Sequence, residues 1–133
     1  MQPAQANGVR PAEPAASAGT RALPIDSTRP VHGSPAHDAT AFNQARAWQN
    51  DPASQHVRFN QELVDANGQR LTTLRPDAYR IRQDGKIDIL EVRSRSQTAS
   101  EMNAKLAEFR RILGARAGDI KWVDPIPAAQ RMQ

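Results

Sequence analysis

The sequence has no cysteine, which removes disulfides, thiolate zinc sites and cysteine nucleophiles from the possible chemistries. No apolar run approaches membrane-span length, and the N-terminus lacks a positive stretch followed by an apolar segment, so no secretory signal is expected. Histidine is scarce: His32, His37 and His56 are scattered without ligand spacing. Apolar periodicity is missing from residues 1–37, a stretch rich in Pro, Ala, Gly and Ser that contains the first two of those histidines. Such a composition buries too little surface to offset the entropy of ordering, so residues 1–37 are expected to be a disordered leader or linker. The 133 residues allow one ordinary domain, expected over residues 38–127, with 128–133 a frayed tail.

What the chain does have is basic charge. The net charge is +4 and the sequence pI about 10.3. Arginines dominate the expected folded part: Arg70, Arg75, Arg80, Arg82, Arg93, Arg95, Arg110, Arg111 and Arg116. That balance suits a polyanionic partner such as nucleic acid, and equally suits plain solubility.

Several segments carry a period. Ala39–Asn50 has a weak apolar stripe (Phe42, Ala45, Ala47, Trp48) and reads as a short helix ended by Asp51-Pro52. Val57 to Asp65 reads as a strand, Asn67-Gly68 as a hairpin turn, and Arg70 to Leu74 as the return. Pro76 punctuates that strand or opens the next one. Asp77–Arg82 and Lys86–Ser94 alternate clearly as two strands. Thr98 and Glu101 fit a capping box, with Met102, Leu106, Phe109 and Leu113 at helical spacing as core and Gly114 as the stop. Asp119–Val123 reads as a last strand, with Trp122 a packing residue. The expected fold is therefore α/β (α+β), a mixed four-stranded sheet in α-β-β-β-α-β order. The helical crossover should leave the last two strands parallel and right-handed.

Register decides whether chemistry is possible. A two-residue turn at Asp84-Gly85 would set Asp77 opposite Val92 and send Glu91 to the other face. A three-residue loop, Gln83 to Gly85, sets Asp77 opposite Glu91, Tyr79 opposite Ile89 and Ile81 opposite Ile87. Matching apolar residues to apolar residues favours the second. Asp77 and Glu91 then form a hard-oxygen site for Mg²⁺ or Mn²⁺. Arg93 projects from the same face as Glu91, as a cation for phosphate or for orienting water. Glu62 is a candidate third carboxylate by the Asn67-Gly68 register.

Arg75-Pro76-Asp77 followed by Glu91-Val92-Arg93, in this element order, resembles the PD-(D/E)XK nuclease superfamily. The resemblance implies a restriction-endonuclease-like core, with Asp77 and Glu91 as metal ligands. The family's lysine falls at Arg93. Arginine stays protonated and cannot act as a general base, so Arg93 is expected to be an electrostatic stabiliser, or Lys105 reaches in from the helix. From Arg75 to Val123 the chain looks like nuclease toxin domains at the C-termini of Rhs and related polymorphic toxins. That likeness maps the family's post-motif glutamine to Gln97. It implies a DNA substrate (RNA stays open, since nothing here reads sugar or base) and a cognate immunity protein. It also implies a bacterial cytoplasmic setting reached through a specialised secretion system. Arg75, Arg95 and Lys105 are candidate nucleic-acid contacts. The rival expectation is a catalytically inactive nuclease-fold protein that binds nucleic acid or a protein partner, such as an adaptor of a secretion or toxin system.

Overall fold

A computed structural model of the chain describes residues 23–26 and 35–126. In chain order the elements are β1 (Ile25–Asp26), α1 (Pro35–Gln49), β2 (Ser54–Phe59), β3 (Ala78–Arg82), β4 (Ile87–Val92), α2 (Ala99–Leu113), a 3₁₀ turn (Gly114–Arg116) and β5 (Ala117–Val123). The sheet order is β1-β2-β3-β4-β5. β2, β3 and β4 are antiparallel neighbours, while β1 on β2 and β5 on β4 are parallel. The mixed sheet and the α-β-β-β-α-β order match expectation, apart from the added two-residue β1. Among the described residues no helix is long and apolar enough to cross a membrane.

The β3–β4 hairpin uses the three-residue loop. Arg82 donates its N–H to the carbonyl of Lys86 at 2.8 Å, and Gly85 takes φ 87, a value that glycine adopts without a side-chain penalty. Tyr79 pairs with Ile89 and Ile81 with Ile87. These residues, with Leu63 and Ile120, form one core against Leu106, Phe109 and Leu113 of α2. The alternate residues Ala78, Leu90 and Val92 face the other way, packing with Val57 and Phe59 against Ala41, Ala45 and Trp48 of α1. The sheet therefore lies between two helices, which is why all six residues of β4 are buried.

α2 begins as expected. Glu101 donates its N–H to Thr98 Oγ1 (3.1 Å), and Thr98 donates its own to Glu101 Oε1 (2.8 Å). Gly114, at φ 55, closes the helix by donating to the Arg110 carbonyl.

Three expectations are corrected. The leader is not wholly outside the fold, because Ile25–Asp26 pairs with β2 and Pro35–His37 opens α1. Pro at the first helical position is a start signal that the weak apolar stripe obscures. The remaining leader residues, 1–22 and 27–34, and the tail 127–133 lie outside the described residues. Second, the first strand ends at Phe59. Asn60 takes φ 56, and the chain leaves the sheet through residues 60–77, held by a Val64–Arg70 bridge, by Leu71 N–H on the Leu63 carbonyl and by Asp65 N–H on the Gln69 carbonyl. Arg70–Leu74 is not a strand. Tyr79 pins the excursion, donating its hydroxyl to the Glu62 carbonyl at 2.7 Å and accepting from Val64 N–H at 3.1 Å. Third, Glu62 pairs with Arg70 at 3.2 Å and does not join Asp77 and Glu91.

A buried charge cluster sits toward the hairpin turn. Asp88 accepts from Arg80 Nε (2.8 Å), Arg82 Nη1 (3.1 Å) and Asp119 N–H (2.7 Å). Arg80 also reaches Asp51 and Ser54, and its guanidinium lies 5.7 Å from the centre of the Trp48 ring. Opposite Asp88 the β4–β5 ladder slips by one residue, since Ile87 pairs with Ala117 but Ile89 with Ile120. Gly118 lies in that slip, where a Cβ would stand 2.1 Å from Asp88 Oδ1. Three donors pin that oxygen's carboxylate, so it cannot step aside. Gly118→Ala is expected to lower unfolding free energy by about 1–3 kcal/mol. Asp88→Ala removes the carboxylate that Arg80 and Arg82 share while each keeps a second acidic partner, Asp51 and Asp84, and leaves the Asp119 N–H without its acceptor, so it should cost about 1–3 kcal/mol. Urea unfolding reads both, and an unchanged midpoint for Gly118→Ala would show that the close approach is relaxed in solution.

Candidate functional site

The site forms where β2 and β4 end and β3 begins. Pro76 has no N–H and cannot extend the ladder. Asp77 follows it in the register of β3 and so stands opposite Glu91. Their backbone and side chains interlock: Asp77 donates its N–H to Glu91 Oε2 at 2.8 Å, and Val92 donates its N–H to Asp77 Oδ2 at 2.7 Å. Each carboxylate thus replaces a ladder acceptor for the other strand. Glu91 is fully buried and Asp77 nearly so.

Two basic side chains approach from opposite layers. Lys105 projects from α2, one residue before the buried Leu106, and sets Nζ 2.6 Å from Glu91 Oε1. His37 comes from the first turn of α1. It is 5% exposed, its Nε2 is 3.3 Å from Asp77 Oδ2, and its Nδ1 is 3.8 Å from Asp38 Oδ1. Composition alone places His37 in the leader, outside any site. The signal that would have found it is its i, i+4, i+8 spacing with Ala41 and Ala45, the buried stripe of α1.

Burial first, and the neighbouring Asp77 charge second, push the Glu91 carboxyl up to about 7 against the pull of Lys105. Burial also opposes ionisation of Asp77, but contact with His37 and the Val92 N–H outweighs it and holds Asp77 below the usual carboxylate range. Burial disfavours charge on His37, yet Asp77 and Asp38 more than compensate, and its pKa is raised. Near neutral pH, Asp77 is ionised while Glu91 hovers between two states.

The other candidates stand apart. Arg93 turns away from the carboxylates, its Nε on Asp124 Oδ1 (2.6 Å) and its Nη1 on the Gln97 carbonyl (2.9 Å). Gln97 closes the turn after β4, its Oε1 accepting from the Ser94 N–H and hydroxyl. Arg75 lines a recess of about 200 Å³ with Gln61, Glu62 and Val64. Arg95 is exposed on the β4–α2 connection. The structure therefore brings together Asp77, Glu91 and Lys105 of the expected residues, adds His37, and leaves out Arg93 and Gln97.

Among the described residues no three His, Cys, Asp or Glu side chains converge as a metal cage. Two carboxylates suffice for a Mg²⁺-type ion, which keeps several waters and takes one or two protein carboxylates. The donor set is hard oxygen, and the ammonium on Glu91 Oε1 marks a point where positive charge is favoured. The residues present thus fit a divalent ion. Comparison of the chain with protein-family models, curated proteins and solved structures finds no match.

Because folded Glu91 holds its proton up to about pH 7 and the unfolded chain releases it near 4.5, ionisation with rising pH favours unfolding. His37, also raised, acts in the same direction. Stability is expected to fall by about 3 kcal/mol from Glu91 alone as pH rises from about 4.5 to about 7, and Glu91→Gln should flatten that slope. Urea titrations at pH 5 and 8 test this. Parallel slopes for the two proteins would refute the buried-carboxyl assignment.

Proposed function

We propose that the chain is a metal-dependent nuclease that hydrolyses DNA phosphodiester bonds. The observation that carries this is the interlock of Asp77 with Glu91 at the strand ends, with Lys105 on Glu91. The two carboxylates would hold Mg²⁺ or Mn²⁺. When bound, the ion supplies Lewis-acid polarisation of the phosphate and lowers the pKa of a bound water. Lys105 neutralises Glu91 in the resting site. Its partly exposed side chain would let the ammonium move from Oε1 to a phosphate oxygen and balance charge developing there. This gives Lys105 the part that the family pattern would place at Arg93. Arg93, Arg75 and Arg95 lie around the same end of the sheet as contacts for the phosphate backbone. The Arg-Pro-Asp and Glu-Val-Arg motifs and the element order support a PD-(D/E)XK nuclease of the restriction-endonuclease-like type. The likeness to Rhs-type modules supports an antibacterial toxin with an immunity protein as partner.

Two observations favour a second reading, a catalytically inactive relative that binds nucleic acid or a protein. Glu91 is completely buried, and Arg93 is committed to Asp124. Plasmid cleavage with Mg²⁺ or Mn²⁺ separates the readings. Cleavage by the wild type should fall roughly 10²-fold or more in Asp77→Asn, Glu91→Gln and Lys105→Ala, and about tenfold or less in Arg93→Ala. Cleavage that persists in both carboxylate variants sinks the site. DNA retention without cleavage by the wild type selects the inactive reading.

A further inference from the structure

His37 is the buried titratable group at the site that the proposed reaction leaves without a task. It occupies the stripe of α1 that seats Ala41, Ala45 and Trp48 on the sheet, where an apolar residue would pack without the cost of burying a polar ring. Its Nε2 is instead placed 3.3 Å from Asp77 Oδ2, the oxygen that already accepts the Val92 N–H at 2.7 Å. Two elements therefore hold one carboxylate oxygen, α1 through the imidazole and β4 through its backbone. Glu91 and Lys105 meet on the opposite, α2 side of the sheet.

We infer that His37 is a positioning residue that clamps Asp77 Oδ2 from behind, so that the carboxylate is presented in one orientation to a divalent cation on the Glu91 side. The inference rests on the metal-site reading above. A ligand carboxylate free to rotate must be ordered when the ion binds, and that cost appears as lost affinity. Partners that hold a ligand in place commonly contribute 10–100-fold in metal affinity. A purely structural His37, which only joins α1 to the sheet, would leave affinity unchanged once the protein is folded.

The test is Mn²⁺ binding to the full chain, followed by calorimetry and by the electron paramagnetic resonance signal of free Mn²⁺, with cooperative thermal melting as the check on folding. The wild type should bind Mn²⁺, and Glu91→Gln should weaken binding strongly. His37→Leu should weaken it roughly 10–100-fold. His37→Gln, which keeps an N–H donor near the Nε2 position, should recover to within about threefold of the wild type. Should His37→Leu fail to melt cooperatively, His37→Asn, whose amide stops short of Asp77, takes its place. Wild-type affinity in the Leu or Asn variant overturns the clamp and leaves the metal reading intact. Affinity as low in folded His37→Gln as in His37→Leu overturns it in favour of direct ligation by the imidazole. A wild type that binds no Mn²⁺ overturns the metal reading and this inference with it.

Discussion

The site depends on one exchange of hydrogen bonds: the Asp77 N–H to Glu91, and the Val92 N–H to Asp77. These bonds exist only in the register set by the Gln83–Gly85 loop. A slip of one residue would turn Glu91 toward α1 and take Ile87 and Ile89 out of the core against α2. The same register aligns Tyr79 with Ile89, and Tyr79 in turn anchors the excursion through residues 60–77. Core packing and site geometry are therefore one choice. No variant can keep the apolar pairing and lose the carboxylate pair by a shift of register.

Among the described residues, buried carboxylates collect in two places, around Asp88 and around Asp77 with Glu91, and the two differ in how they are satisfied. Asp88 is surrounded by two guanidinium groups and a backbone N–H, and every contact is internal to the sheet and its bulge. Glu91 is more deeply buried but has one N–H and one ammonium, and that ammonium sits on a side chain about a third exposed. The first arrangement is saturated and rigid. The second is held short of full compensation, as the upward displacement of the Glu91 pKa records. Burial with fewer compensating partners is what separates Glu91 from Asp88.

Local patterns were legible in the sequence, and long-range ones were not. Alternation in Lys86–Ser94 exposed Glu91 as an anomaly, the apolar matching of Tyr79 with Ile89 selected the loop, and Thr98 with Glu101 announced α2. The first strand misled because a left-handed Asn60 carries no distinctive pattern, and Asn67-Gly68 does turn the chain, though outside the sheet. β1 has two residues and thus no period to detect. His37 was hidden by its composition-poor flank, and its contact with Asp77 joins residues far apart in the chain. Arg93 shares a strand face with Glu91 by alternation, but Asp124, 31 residues away, captures it. Partners beyond the span of a turn or a helix leave no trace in local spacing.

The two outer strands bear on solubility in a way their pairing alone does not suggest. Among the described residues β5, seven residues long, is an outer strand of the sheet, the kind of template onto which another chain can add, and Arg110 Nη2 donates to its Ile120 carbonyl at 2.8 Å. Along it Asp119 and Lys121 alternate with Ile120 and Trp122, and Pro125 follows soon after the strand ends. At the other margin, Pro24 precedes the two residues of β1 and offers no N–H there. A second molecule extending the sheet would have to crowd fixed charges on one side and meet a missing donor on the other. Among the described residues, each margin of the sheet thus carries a feature that disfavours the addition of a further strand, separate from anything the carboxylates do.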